Sequence, residues 1–257
     1  MNTSDIIKKY TGNDDERVML SRMFDLAARA VSRNTYEFSS FLSPAERALT
    51  DSVSELHRMC SISFQGGYDG AERTVAVLCP QNIEYELCAP ISVLSIFTKG
   101  EPLGHRDILG SVLGLGIKRE KIGDIIDKAD PPIFFCDEII SQYIIDHLER
   151  AGRNSVTVLR GSVGSIPKPE FDEITATVMS LRLDSIVSEG FSLSRARAAD
   201  IINHGNAYIN GQQINSVSKS VAEGDKISVR GLGKLRLASV GGQSKKGRTF
   251  ILIEKYK

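Results

Sequence analysis

Residues 181–230, LRLDSIVSEGFSLSRARAADIINHGNAYINGQQINSVSKSVAEGDKISVR, restrict what this chain can fold into more than any other segment. Leu183, Ile186 and Val187 recur at helical spacing, with Arg182, Ser185 and Glu189 on another face. This predicts a short helix, and Gly190 is placed to end it in a left-handed conformation. Ser194 then caps a second helix that buries Ala198, Ala199, Ile201 and Ile202 and ends at Gly205. Its exposed side carries Arg197, Asp200, Asn203 and His204, while Arg195 lies in the first turn. Ala207-Tyr208-Ile209 meets Gln212-Gln213-Ile214 across Asn210-Gly211, a favoured pair for a tight hairpin turn. Glu223-Gly224-Asp225 turns the chain into a further strand, Lys226 to Arg230. Two helices packed on a small sheet are the expected outcome.

The charge is distributed to match. The formal net charge is zero, yet Ser180 to Lys257 holds 13 Lys and Arg against 6 Asp and Glu, which leaves 19 against 26 for the rest. A basic C-terminal segment on an acidic body favours a polyanionic partner for that segment. Gly233 to Val240 and Arg248 to Tyr256 read as another hairpin, whose tip carries Lys245, Lys246 and Arg248. These three are either extra phosphate contacts or a solvated tip.

The order Arg182-Leu183-Asp184, Gly190, Ser194-Arg195, Gly205, Asn210-Gly211 and Gly224-Asp225 resembles the S4 domain. That resemblance implies that the paired helices and the adjoining strand ends form one RNA-binding face. The chemistry agrees, because the planar fork of arginine suits phosphate oxygens and the N–H groups at a helix start add an anion site beside it. Folded RNA is recognised mainly by shape, phosphates and 2′-hydroxyls, so a rigid basic knob suffices. Arg195 and Arg197 are the leading contacts, with Arg182, Asn203, His204, Asn206 and Lys219 behind them. Ser194 and Gly205 belong to the same face, chiefly as helix cap and backbone turn. Asp184 is read as a local hydrogen-bond organiser.

The body is expected to be α+β. The first sixty residues read as helix: Asp14 to Arg33, with Asp14 and Asp15 as caps, then Ser43-Pro44 to about His57. Cys60–Gln65 and Arg73–Leu78 read as a hairpin, followed by strands at Ile91–Phe97, Ile122–Ile126, Ile133–Cys136 and Ser155–Leu159 and helices at His105–Leu115 and Asp137–Ala151. Such an alternation suggests an RNA-recognition-like α/β layer. The domain reading is an N-terminal helical region with the start of a hairpin (1–72), the α/β domain (73–163), a linker (164–176, most visible from Gly161 to Glu170) and the S4 domain with its hairpin extension (177–257). GGYDGAERTVAVL (Gly66–Leu78) and HRDILGSVLGLGIKREKIGDI (His105–Ile125), taken with the S4 pattern, resemble the YlmH family of bacterial S4 proteins. The resemblance implies a cytoplasmic protein bound to ribosomal RNA on the large subunit, with tRNA as a further candidate, and a role in ribosome-associated quality control. It also implies a link to cell division. Arg106, Lys118, Arg119 and Lys121 form a second, subordinate RNA patch in this reading, with stabilising loop charge as the alternative.

Other classes find less support. The start MNTSDIIKKY lacks a signal-peptide core, and the apolar run from Ala89 to Phe97 is too short for a bilayer. Cys60, Cys79, Cys88 and Cys136 show no CxxC spacing and read as reduced thiols, with Cys79 and Cys136 in buried strands. His57, His105, His147 and His204 are scattered, so no metal is expected, and neither is a cofactor or a small-molecule substrate. His105-Arg106-Asp107 lacks the companion motifs of a kinase. The competing readings are an S4-bearing pseudouridine synthase or methyltransferase, and a cell-division adaptor. Arg182-Leu183-Asp184 already serves the S4 helix, and Gly110, Gly114 and Gly116 lie in the wrong context for a nucleotide loop. A non-enzymatic monomer is the expectation.

Overall fold

The computed structural model describes residues 2–83, 87–164, 166–167 and 170–257. They fall into two compact units, Met1–Pro167 and Lys168–Lys257.

The first unit opens with α1 (Thr3–Tyr10) and α2 (Asp14–Arg33). The span of α2 is the expected one, but its cap is Asn13, whose side chain accepts from the N–H groups of Asp15 and Glu16. Asp14, Asp15 and Glu16 follow in the first turn, where their charges meet the positive end of the helix. The region read as wholly helical contains a strand, β1 (Glu37–Leu42). α3 (Pro44–Ser52) starts at a capping box between Ser43 and Glu46, and Val53 separates it from α4 (Ser54–Met59), so one expected helix is two. The expected hairpin is β2 (Ser61–Gln65) and β3 (Thr74–Cys79), and β3 lies between β1 and β2 in an antiparallel sheet. The strand after Arg73 therefore belongs to the N-terminal layer and not to the middle domain. Ala76 and Leu78 pack with the apolar side of α2, which holds it there.

The middle layer runs β4 (Ile91–Thr98), α5 (His105–Gly114), β5 (Ile122–Ile126), β6 (Ile133–Asp137), α6 (Glu138–His147), β7 (Arg150–Ala151) and β8 (Asn154–Arg160). Its sheet order is β5-β6-β4-β8-β7, with antiparallel pairing. This is the RNA-recognition-like arrangement expected, with Ile108, Val112 and Ile144 of the two helices packed on Leu94, Ile96, Phe134 and Cys136. The helix expected to reach Ala151 stops at His147, because Arg150 and Ala151 pair with Ser155 and Asn154. On the opposite sheet face Phe135 and Ile133 share a core with Phe41 and Val75 of the N-terminal sheet. That shared core explains why the helical region and the middle domain form one unit rather than two.

The second unit contains β9 (Phe171–Val178), α7 (Leu183–Gly190), α8 (Arg195–Asn203), β10 (Ala207–Ile209), β11 (Gln212–Gln213), β12 (Lys226–Val229), β13 (Gly233–Gln243) and β14 (Thr249–Tyr256). The sheet order is β11-β10-β12-β13-β14-β9. β9 corrects the linker boundary: residues 171–176 are strand, paired with β14 from Phe171–Tyr256 to Val178–Thr249. Of the shorter linker reading, Ser165, Lys168 and Pro169 lie outside the described residues, and the other positions from 161 to 170 carry no regular structure. The Asn210-Gly211 turn has φ of 50° and 84°, the left-handed pair that a two-residue hairpin turn demands. Gly190 does not take the expected left-handed conformation; Ser192 does, with φ of 53°. The demand at Gly190 is for space, since a Cβ there would lie 2.4 Å from Leu235 Cδ1.

Candidate nucleic-acid interface

Leu183, Ile186 and Val187 anchor α7 in the core of the second unit, while Ala198 and Ile202 anchor α8. Ala199 and Ile201 are half-buried, and Ser185, expected on the outer face of α7, is buried. Loop backbone holds the start of α7, with Leu183 N–H donating to the Lys219 carbonyl (2.9 Å) and Asp184 N–H to that of Val217 (3.2 Å). This brings Lys219, which is exposed, beside Arg182.

Ser194 caps α8, its Oγ accepting from Arg197 N–H at 3.2 Å. Arg195 and Arg197 stand exposed in that first turn, where a helix has N–H groups without intrahelical acceptors. Arg197 Nη1 reaches Asp200 Oδ2 at 3.2 Å, and His204 Nδ1 lies 3.3 Å from Asp200 Oδ1, so Asp200 gathers two of the predicted contacts. Asn203 is exposed at the end of α8. Gly205 turns with φ of 72°, its carbonyl accepting from the Gln213 amide at 2.6 Å, and the Asn206 carbonyl accepts from Arg230 N–H. Both act through the backbone.

Two predicted residues are occupied by the fold. Arg182 forms a two-pronged ion pair with Asp184, at 3.0 Å and 3.1 Å. Arg248 is tied to Thr177, through its Oγ1 at 3.0 Å and its carbonyl oxygen, and so clamps β9 to the hairpin. The tip thus offers Lys245 and Lys246, both exposed, beside the end of β9 that leads into α7.

The second patch is divided in the same manner. Arg119 is half-buried, with Nη1 donating to the carbonyls of Ile122 (2.6 Å) and Gly123 (3.2 Å). Burial first, then the neighbouring Arg73 charge, lower its pKa to about 10. Lys121 Nζ is 2.6 Å from Asp137 Oδ2. Arg106 and Lys118 remain exposed. Sequence alone gave no sign of which cations were structural, because that depends on carbonyls and carboxylates supplied by other strands.

Asp184 carries the pKa shift of this face. Burial raises it, but the hydrogen bond and charge of Arg182, with the charge of Arg195 behind, outweigh burial and hold it below the ordinary carboxylate value. The paired carboxylate, 6% exposed, is a poor nucleophile for a synthase mechanism. A depressed folded pKa gives stability that is present above the unfolded value of about 3.9 and is lost as pH falls through the folded value. A fragment of residues 170–257 should therefore fold alone, bind structured RNA, and lose stability below about pH 4 less steeply when Asp184→Asn is introduced. Circular dichroism across a pH series and gel-shift titration check this; RNA binding by the intact chain alone would contradict it.

Among the described residues no group of three or more His, Cys, Asp or Glu could hold a metal ion, and no helix is long and apolar enough to cross a membrane. Burial pushes the thiols of Cys60 and Cys136 up to about 11 and about 12, far from the range of a reactive cysteine. Cys79 is only half-buried, in contrast to the expectation, and Cys88 is exposed.

Known proteins agree with this geometry. The family model "Putative RNA-binding domain in YlmH" matches residues 80–163, and the S4 domain model matches residues 181–227. The ribosome-associated protein quality control protein P2 of Bacillus subtilis is 28% identical over 261 residues, covering 99% of this chain and 100% of that protein. The chain carries matches to both the YlmH RNA-binding domain and the S4 domain, and resembles a ribosome-associated S4 protein over its whole length. The S4 segment is also similar to the small ribosomal subunit protein uS4A of Clostridium novyi, 41% identical over 54 residues, which is 21% of this chain and 26% of that protein. A solved structure, the cell division protein ylmH from Streptococcus pneumoniae, superposes with a TM-score of 0.48 at 22% identity, covering 59% of this chain and 93% of that one.

Proposed function

We propose that this protein is a non-enzymatic, monomeric, cytoplasmic factor of the YlmH family that grips structured RNA of the large ribosomal subunit, with tRNA as a further contact, in ribosome-associated quality control. The observation that carries the reading is the first turn of α8. It presents Arg195 and Arg197 to solvent on a capped helix, with the Arg195 charge felt by Asp184 at the start of α7. Phosphate is the chemistry such a turn fits, since charge, forked donors and helix N–H groups converge there. The setting is supported by the full-length similarity to the Bacillus subtilis protein, whose name places it in quality control at the ribosome. The middle domain and its N-terminal layer serve as the body, with Arg106 and Lys118 as subordinate contacts. Crosslinking in cells, followed by sequencing of the attached RNA, tests this. Reads should concentrate in large-subunit ribosomal RNA and tRNA; reads scattered over messenger RNA would refute the ribosomal assignment.

A further inference from the structure

The outer face of α8 changes its chemistry along its length. Arg197, Asp200 and His204 lie at i, i+3 and i+7, and the contacts of Asp200 with both neighbours put the three on one face. The start of the helix presents the guanidinium groups of Arg195 and Arg197, which only donate. His204 stands at the other end, in the C-cap position, with 70% of its side chain exposed. Its Nδ1 lies 2.7 Å from the Asp200 carbonyl oxygen and 3.3 Å from Asp200 Oδ1. A carbonyl and a carboxylate can only accept, so Nδ1 carries the proton and donates. That bond fixes the tautomer of the neutral ring and leaves Nε2 as a bare acceptor. Among the described residues Nε2 has no hydrogen-bond partner.

A bare acceptor cannot hold a phosphate oxygen, which accepts as well. It needs a donor, and the donor that folded RNA displays at every nucleotide of its wide, shallow groove is the ribose 2′-hydroxyl. We propose that Nε2 of His204 accepts from a ribose 2′-hydroxyl, and that this bond makes the face select RNA over a strand without that hydroxyl. The inference rests on the α8 face as the RNA contact and deepens it. The arginines at the helix start take phosphate, which RNA and DNA share, whereas the helix end reads the group that RNA alone carries.

Titration of the full chain with two forms of one RNA tests this. The first is a folded hairpin of large-subunit ribosomal RNA, and the second is the same hairpin with 2′-fluoro sugars, which lack the hydroxyl proton. Binding is measured at about pH 8, where free imidazole is neutral. The wild type should bind the hydroxyl form at least roughly fivefold tighter, the effect of one neutral hydrogen bond. His204→Phe keeps a ring without the nitrogen acceptor, and should lose most of that preference by weakening the hydroxyl form alone. His204→Gln, whose side-chain oxygen can accept, should retain part of it. Arg197→Ala should weaken both forms alike, because phosphate is common to them. The exposed position of His204 should leave the circular dichroism spectrum of its variants unchanged. A preference that persists in folded His204→Phe, or a loss that falls equally on both forms, would overturn the inference and leave the proposed function standing. Failure of the wild type to bind either form would overturn both.

Discussion

Replacing Arg195 and Arg197 together by alanine should weaken binding to ribosomes by roughly a hundredfold or more while leaving the fold intact. A charge-assisted hydrogen bond to phosphate contributes about 1.5–3 kcal/mol, and two such contacts are removed. Arg197 must first leave Asp200, but that exposed pair is worth at most about 1 kcal/mol and offsets little of the loss. Both side chains are exposed, so truncation opens no cavity, and the Ser194 cap survives because it binds the Arg197 backbone N–H. Binding of the wild type should fall steeply with salt, since each neutralised phosphate releases condensed counterions. The log–log slope should become shallower by about 1.5–2 in the double variant. Arg106→Ala with Lys118→Ala is the suitable comparison and should have the smaller effect. Arg119 is excluded from that pair, because its guanidinium holds two carbonyls and its loss would confound binding with stability. Sedimentation with ribosomes across a salt series, with circular dichroism alongside, measures both effects. Unchanged sedimentation of a folded double variant would show that α8 is not the main contact.

The second large effect is expected in the body. Asp124 accepts from Tyr68 Oη (2.8 Å), Glu72 N–H (2.7 Å) and Arg73 N–H (3.1 Å). Arg73 in turn donates to the carbonyls of Ile122 (2.9 Å), Phe41 (3.1 Å) and Arg119 (3.4 Å), which fastens the N-terminal sheet to the edge of the middle one. Burial lowers the pKa of Arg73 while the carboxylates of Glu46 and Asp124 oppose that shift. Asp124→Ala leaves a phenol and two N–H groups short of their acceptor and removes a countercharge from two half-buried guanidinium groups, those of Arg73 and Arg119. The loss should be about 3 kcal/mol, or roughly 6–12 °C in the melting temperature of this unit. Asp124→Asn, which retains one acceptor oxygen, should lose about half as much. Calorimetry of the intact chain reads the shift, and RNA binding by the C-terminal unit should be unaffected. A melting temperature within about 2 °C of wild type would contradict this account.

Local chemistry decided a good part of this protein in advance. α2, the two S4 helices, the Asn210-Gly211 turn and the strands of the middle domain were all readable, because helical recurrence, caps and tight-turn dipeptides act over a few residues. The Ser194–Arg195–Arg197 start of α8 was readable for the same reason, since a cap and the side chains beside it need no distant partner. The order of motifs from Arg182 to Asp225 pointed to the S4 domain, and hence to RNA.

Other features depended on residues far apart in the chain. β1 and β9 escaped notice because each is a strand only by virtue of its partner, β3 for one and β14 for the other. Gly190 looked like a helix terminator and proved to be a gap for Leu235, a residue 45 positions later. The cations divide too: Arg182, Arg248, Arg119 and Lys121 look no different in sequence from Arg195, Lys245 and Lys118. Tertiary structure separates them, because a guanidinium or ammonium group is free to meet phosphate only where folding has not brought a carboxylate or a carbonyl to it first.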